Sequence, residues 1–171
     1  SLESVSLADT YNRPQVGEGS DASAIVNAVD VYETGIFNSS SVDYKGKGTA
    51  VAVLDSGFDC SHSVFSNQPA DSELWISRDK VASVLDETRA AGFTDGLELT
   101  DVWYSNKIPF KYDYADKDND VFPYDSEHGT HVAGIIGGQD TVITGVAVET
   151  QLVLLKVFPD LNDGAKTDDI L

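Results

Sequence analysis

The sequence contains no methionine and a single cysteine, Cys60. One cysteine rules out an internal disulfide, so an oxidising compartment is neither required nor excluded. The missing methionine includes an initiator, and the sequence is therefore expected to be a processed or excised piece of a longer chain. Basic residues are scarce: 11 Lys and Arg stand against 29 Asp and Glu, a formal net charge of −18. Such a surface repels phosphate backbones and anionic lipid, so neither nucleic acid nor a membrane surface is expected as a partner. It suits cationic partners, bound Ca²⁺ or plain solubility, and a solvated acidic surface is the default. Long apolar runs are missing too, since none approaches the roughly 20 residues that span a bilayer. Residues 1–20 are polar and lack the basic start and apolar stretch of a secretory signal peptide.

What remains is a globular composition, 41% hydrophobic and 23% charged over 171 residues. That length supports one domain with a real core and is too short for two ordinary ones. Residues 1–20, with Pro14, Gly17 and Gly19, are expected to form an irregular arm. A short helix is expected from Ala22 to Glu33, with Asp21 as N-cap, Ile25, Val26, Val29 and Val31 as apolar positions, and Gly35 as a stop. Residues 38–48 read as a turn-rich connector. Thr49–Leu54 is a short unbroken apolar run, the pattern of a strand buried on both faces and central in a parallel sheet. Leu152–Leu155, continuing to Phe158, is a second such run. Between them lie a helical pattern at 79–91, an extended stretch from Pro109 to Tyr114, and an acidic loop from Asp113 to Asp125. A helix follows at Glu127–Ile136, with Ser126 placed to cap it and Gly137 and Gly138 to end it. Strands alternating with helices predict an α/β fold with a parallel sheet. A turn signal at Asn162–Gly164, followed by Asp168–Leu171, reads as the start of another helix.

Two features carry chemistry. Reactive groups in open α/β sheets gather at the carboxyl ends of strands. Asp55 ends the first apolar run, and Gly57 allows a sharp turn directly after it. Alone, Asp55 is an ordinary turn-former. The second feature is His128–Gly134, reading HGTHVAG, at the start of a helix. Gly129, Ala133 and Gly134 let that helix pack close against a sheet, which holds His128 rigidly.

Both pieces resemble the subtilisin-like serine proteases, the subtilases. Val51–Gly57, reading VAVLDSG, is similar to the family's catalytic-Asp motif, and Asp59 and His62 fill its D-x-x-H tail. His128–Gly134 matches the catalytic-His motif at every position, and Asp before His is the family's order. The resemblance covers residues 44–65 and 109–158. The stretch Ile108–Asp116 further resembles the cell-envelope proteinases of Gram-positive bacteria, the lactocepin and C5a-peptidase branch. The resemblance implies a three-layer α/β/α subtilisin-like fold with a mostly parallel sheet, of which this is the N-terminal portion. Residues 1–43 are then an arm and short helix, and 44–171 the start of the catalytic domain. Residues 66–107, which contain Trp75 and Trp103, carry no such motif and are expected to form an insertion near the active-site rim, serving extra packing or substrate recognition.

The implied reaction is peptide-bond hydrolysis through an acyl-enzyme. A hydroxyl nucleophile near neutral pH needs an adjacent base, and the imidazolium it creates needs a buried carboxylate. By resemblance His128 is that base and Asp55 its partner, while His62 and His131 are structural. The family's Gly-Thr-Ser-Met-Ala string and its oxyanion-hole Asn do not occur here. The chain alone is therefore expected to be inert, with the remainder of the catalytic domain supplied by a second chain or an uncut parent. Protein or peptide substrates and a secreted or cell-surface location follow from the same resemblance. The rival is a catalytically inactive subtilase fold used as a binding or regulatory module.

Other chemistries rank lower. Cys60 with His128 would make a Cys–His pair, but Cys is more often a small buried hydrophobe; a position sensitive to mercury or alkylation is the weaker expectation. His62, His128 and His131 lack the H-E-x-x-H pattern of zinc peptidases, because Gly129 stands where Glu belongs. Asp116, Asp118 and Asp120 alternate as Ca²⁺ ligands do, yet Val121 stands where an EF-hand needs Gly. A loop Ca²⁺ site of another kind is kept as an expectation. The same acidic loop raises a preference for basic substrate residues.

Overall fold

The computed structural model describes residues 45–92 and 96–160. Three strands, β1 (Ala50–Asp55), β2 (Phe110–Asp113) and β3 (Gln151–Lys156), form an all-parallel sheet in the order β1-β3-β2. The helices are α1 (Arg78–Ala90), α2 (Leu99–Val102) and α3 (His128–Gly137). In register, Asp55 pairs with Lys156 and Lys156 with Asp113, so three charged residues share one row at the carboxyl edge.

Alternation along the strands assigns each face its cover. Val51, Val53, Leu152 and Leu154 point to one face, where α3 packs through Ala133 and its neighbours Val132 and Ile136. Phe58, Val64, Phe65, Ile108 and Val121 close this core. Phe110 and Tyr112 of β2 point to the other face, where Val81 and Leu85 of α1 and Val102 of α2 form a second cluster with Ile76 and Trp103. Helices thus flank both faces of a parallel sheet, an α/β architecture.

Helix α1 forms where its apolar positions recur at helical spacing. Ser77 caps it, its hydroxyl accepting from the Lys80 N–H at 3.2 Å, with Asp79 in the first turn and Arg89 in the last to suit the helix dipole. The segment 66–107 therefore holds a small core of its own, packed on β2. It is tied to β3 by the buried Gln151 side chain, which donates to the carbonyls of Ile76 and Asn106 and accepts from the Ile76 N–H.

One expectation is corrected. Among the described residues β1 is an edge strand and β3 the central one. Ala52 and Leu54 are exposed, Leu54 at 44%. An unbroken apolar run reports that both faces are apolar, and does not report whether a neighbour covers each of them. The arm, the helix expected over 22–33, and the turn and helix start beyond residue 160 all lie outside the described residues. No helix among the described residues is long and apolar enough to cross a membrane.

Candidate active site

Asp55 is the last residue of β1, so its carboxylate emerges at the carboxyl edge of the sheet. The chain then turns through Gly57 at φ +142°, where an added Cβ would lie 2.8 Å from the Pro123 Cα. That close approach presses the loop after Asp55 against the loop before His128. Two further bonds fix the pair of loops: Phe58 N–H donates to the Val121 carbonyl at 2.6 Å, and Ser56 Oγ lies 3.2 Å from the Ser126 carbonyl oxygen.

Helix α3 approaches from the other side. Its N-cap is Glu127, one residue later than expected, while Ser126 Oγ accepts from the His128 N–H at 3.3 Å. A Cβ on Gly129 would sit 2.3 Å from the Gly57 carbonyl oxygen and 3.0 Å from the Asp55 Cβ, so a glycine is required there. Asp59 N–H donates to Thr130 Oγ1 at 2.9 Å, locking the second motif string onto the first. Gly134 is different, since a Cβ there would meet the Val64 methyls at ordinary distances of 3.8 and 4.0 Å.

This interlock brings His128 Nδ1 to 2.9 Å from both carboxylate oxygens of Asp55. An ionised carboxylate only accepts, so Nδ1 carries a proton; in the neutral imidazole the lone pair is then on Nε2. The Asp55 side chain is 13% exposed and that of His128 69% exposed, so the free nitrogen faces outward. Burial pushes the Asp55 carboxyl up. The bonds from His128 and from the Ser56 N–H, at 2.6 Å, with a further one from Ser56 Oγ, outweigh it and hold the group below the usual carboxylate range. The pair is an oriented imidazole backed by a fixed negative charge, the arrangement of a general base. Ser56 and Thr130 were not singled out from the sequence, although both lie inside the motif strings.

The other candidates separate. His62 caps a 3₁₀ turn at Ser63–Phe65, its Nδ1 accepting from the Val64 N–H at 3.2 Å. His131 is exposed, with Nε2 3.8 Å from Glu127. Among the described residues the three histidines do not gather as metal ligands. Burial pushes the Cys60 thiol up to about 12, which leaves it protonated and unsuited to nucleophilic work.

Asp116, Asp118 and Asp120 do not converge on a cation. Asp118 Oδ1 accepts from the Asp120 N–H, and Asp120 accepts from the Phe122 N–H and the Tyr124 hydroxyl, so these carboxylates brace their own loop. The oxygens that do lie within 4.8 Å of one another belong to Asp113, Asp116 and Asp160. They surround the buried ammonium of Lys156, 2.6 Å from Asp113 and in contact with Asp160. A calcium ion does not fit where an ammonium already neutralises the oxygens. The grouping depends on sheet register, and a lone Lys ending an apolar run was its one sequence signal.

Comparison with known proteins agrees with the geometry. The family model described as the subtilase family matches residues 46–171. The PII-type proteinase of Lactococcus lactis subsp. cremoris is 35% identical over 136 residues, covering 75% of this chain and 7% of the proteinase. The PII-type proteinase of Lacticaseibacillus paracasei is 34% identical over 136 residues, again 75% of this chain and 7% of the relative. The C5a peptidase of Streptococcus pyogenes serotype M6 is 34% identical over 120 residues, covering 66% of this chain and 9% of the peptidase. The chain thus spans less than a tenth of the length of these curated relatives.

Proposed function

Because the chain belongs to the subtilase family, we propose that it carries the Asp–His half of a serine endopeptidase site, with the nucleophilic serine supplied from outside this sequence. The observation that supports this reading is the 2.9 Å contact between His128 Nδ1 and the Asp55 carboxylate. The serine hydroxyl attacks the scissile carbonyl carbon while its proton passes to His128 Nε2. Asp55 holds the imidazole in the required tautomer and stabilises the imidazolium that forms. The imidazolium returns the proton to the leaving amine, which departs and leaves an acyl-serine ester. Water, deprotonated by the same nitrogen, then hydrolyses the ester.

The substrates are proteins or peptides, and the partner that completes the site is the remainder of the catalytic domain. The location is extracellular or at the cell surface, a reading supported by the likeness of Ile108–Asp116 to the cell-envelope proteinase branch.

The test uses the intact polypeptide in which this sequence occurs. A fluorophosphonate probe is expected to label one serine, and His128→Ala to abolish labelling and lower kcat by on the order of 10⁶. Labelling at the wild-type rate in His128→Ala refutes the assignment. A folded intact protein that takes no label turns the reading toward a binding or regulatory module on the same fold.

A further inference from the structure

The loop after Asp55 and the loop before His128, with Tyr104 and Lys111, line an open, shallow cleft of about 190 Å³. Pockets for whole small molecules run to about 300–1,000 Å³, so this one has room for a side chain. Its walls include Asp59, Tyr104, Lys111, Asp120 and Phe122. Tyr104 is 45% exposed and Phe122 48%, and Phe122 meets the exposed Tyr124 ring edge-on with centroids 5.4 Å apart. Grouped, uncovered aromatic rings beside a candidate active site are the mark of a binding surface rather than of a solvated loop.

The polar walls have a sign. Asp120 is fixed by the Phe122 N–H at 3.0 Å and the Tyr124 hydroxyl at 2.8 Å, and these bonds hold its carboxyl below the usual range. Asp59 accepts from the Ser61 N–H at 3.0 Å and the Ser61 hydroxyl at 2.6 Å. The one ammonium in the wall, Lys111, is bound to the Asn119 carbonyl. Cys60 and Tyr104 both stay protonated and neutral, since burial pushes each of them up. Two carboxylates therefore face one ammonium, in a chain whose net charge is −18. The frame is the frame of the candidate site itself: the Phe58–Val121 and Asp59–Thr130 bonds tie the cleft to the segments that carry Asp55 and His128.

We propose that this cleft is a recognition subsite for an arginine or lysine side chain of the polypeptide substrate. The aliphatic stem and flat cationic head lie along the Tyr104 and Phe122 rings, and the charge meets Asp59 and Asp120. The substrate class rests on the endopeptidase reading; the binding preference does not, and it is measured separately.

The experiment takes the intact protein with His128→Ala, which prevents turnover, and two labelled short peptides that differ in a single central Arg or Gln. Fluorescence anisotropy at low ionic strength is expected to give about tenfold tighter binding of the Arg peptide, from one exposed ion pair and one cation–π contact. The preference is expected to shrink in high salt and to fall below about threefold in Asp120→Asn and, independently, in Tyr104→Leu. Equal affinity for the two peptides overturns the proposal, as does a preference that survives both substitutions. Circular-dichroism spectra and thermal melts of the same two variants are expected to match those of the parent protein, which shows that they fold. If wild type takes no fluorophosphonate label, the endopeptidase reading fails while the Arg-over-Gln preference still decides the cleft.

Discussion

Replacing Gly129 by alanine tests the interlock on which the candidate site depends. Two effects oppose each other. Alanine is the better helix former, by up to about 1 kcal/mol in a helix interior and less in a first turn, which is where Gly129 sits. Against this, its Cβ would lie 2.3 Å from the Gly57 carbonyl oxygen, 3.0 Å from the Asp55 Cβ and 3.1 Å from the Phe58 ring. An ordinary C···O approach is about 3.3 Å, so α3 must retreat by about 1 Å. The nearest atom is backbone, which has no rotamer through which to escape. Overpacking of this kind costs about 1–3 kcal/mol, so packing wins over propensity. The same retreat stretches the His128–Asp55 bond from 2.9 Å to about 3.9 Å, outside hydrogen-bond range. A catalytic group misplaced by about 1 Å costs about 10²-fold in rate. Chemical denaturation and kcat/KM of the intact protein are the assays. Gly134→Ala is the control, because its Cβ finds only ordinary contacts 3.8 Å and 4.0 Å from Val64 and the substitution should be neutral or stabilising. A Gly129→Ala protein as stable and active as wild type, or one no worse than Gly134→Ala, refutes the reasoning.

Lys107 is fully buried, bonded to the carbonyls of Val148 and Thr150, and burial lowers its amine to about 8 against an ordinary 10.5. Between those two values the unfolded chain holds a proton that the native one has released, so this group's contribution to stability rises with pH, by about 3 kcal/mol in all. Urea midpoints at pH 7.5 and 10, compared with Lys107→Met, check the sign; a contribution that falls across that window refutes it. Asp113 and Lys156 are buried to 1% side-chain exposure, so Asp113→Leu or Lys156→Met alone should cost about 3–5 kcal/mol, and the double replacement much less. Additive losses in thermal melts would contradict this. Cys60, its thiol raised to about 12, should resist iodoacetamide at pH 8 in the native protein and react once urea is added, contrary to the alkylation-sensitive position its sequence neighbourhood implied; equal rates in both states count against it.

The parts legible in the sequence are those written in contiguous residues. The strings around Asp55 and His128 are local, so the two groups were readable there, while their pairing was implied by the resemblance to the subtilases. Helix α1 was readable for the same reason, from its periodic apolar positions. The parts not legible depend on register. Asp113 and Lys156 become neighbours because β2 pairs with β3 in one alignment, and a shift by one residue would send one of them to the opposite face. Charge spacing in the loop instead pointed to Asp116, Asp118 and Asp120, two of which brace their own backbone. The edge position of β1 was hidden because apolarity states what a strand offers and not what covers it. Tyr104 lies more than forty residues from Cys60 in sequence and outside both motif strings, so nothing local announced that they share a cleft.

The row Asp55–Lys156–Asp113 explains why the candidate pair is free to act as one. Residues in one row of a parallel sheet rise on the same face, with neighbouring strands about 4.8 Å apart. A buried ammonium set between two carboxylates at that spacing would be drawn to both. Lys156 bonds instead to Asp113 at 2.6 Å and to Asp160 beyond the strand end, with Asp116 3.9 Å away. Two of its three N–H donors are thereby directed to Asp113 and Asp160. Asp55, on the β1 side, is left to the Ser56 N–H and the His128 ring. Had the ammonium bonded to Asp55, the carboxylate would be neutralised before any imidazolium formed, and its stabilisation of that cation would weaken. The aspartate cluster that resembles a metal site in composition thus supplies counter-charge to the lysine on the side away from the candidate carboxylate.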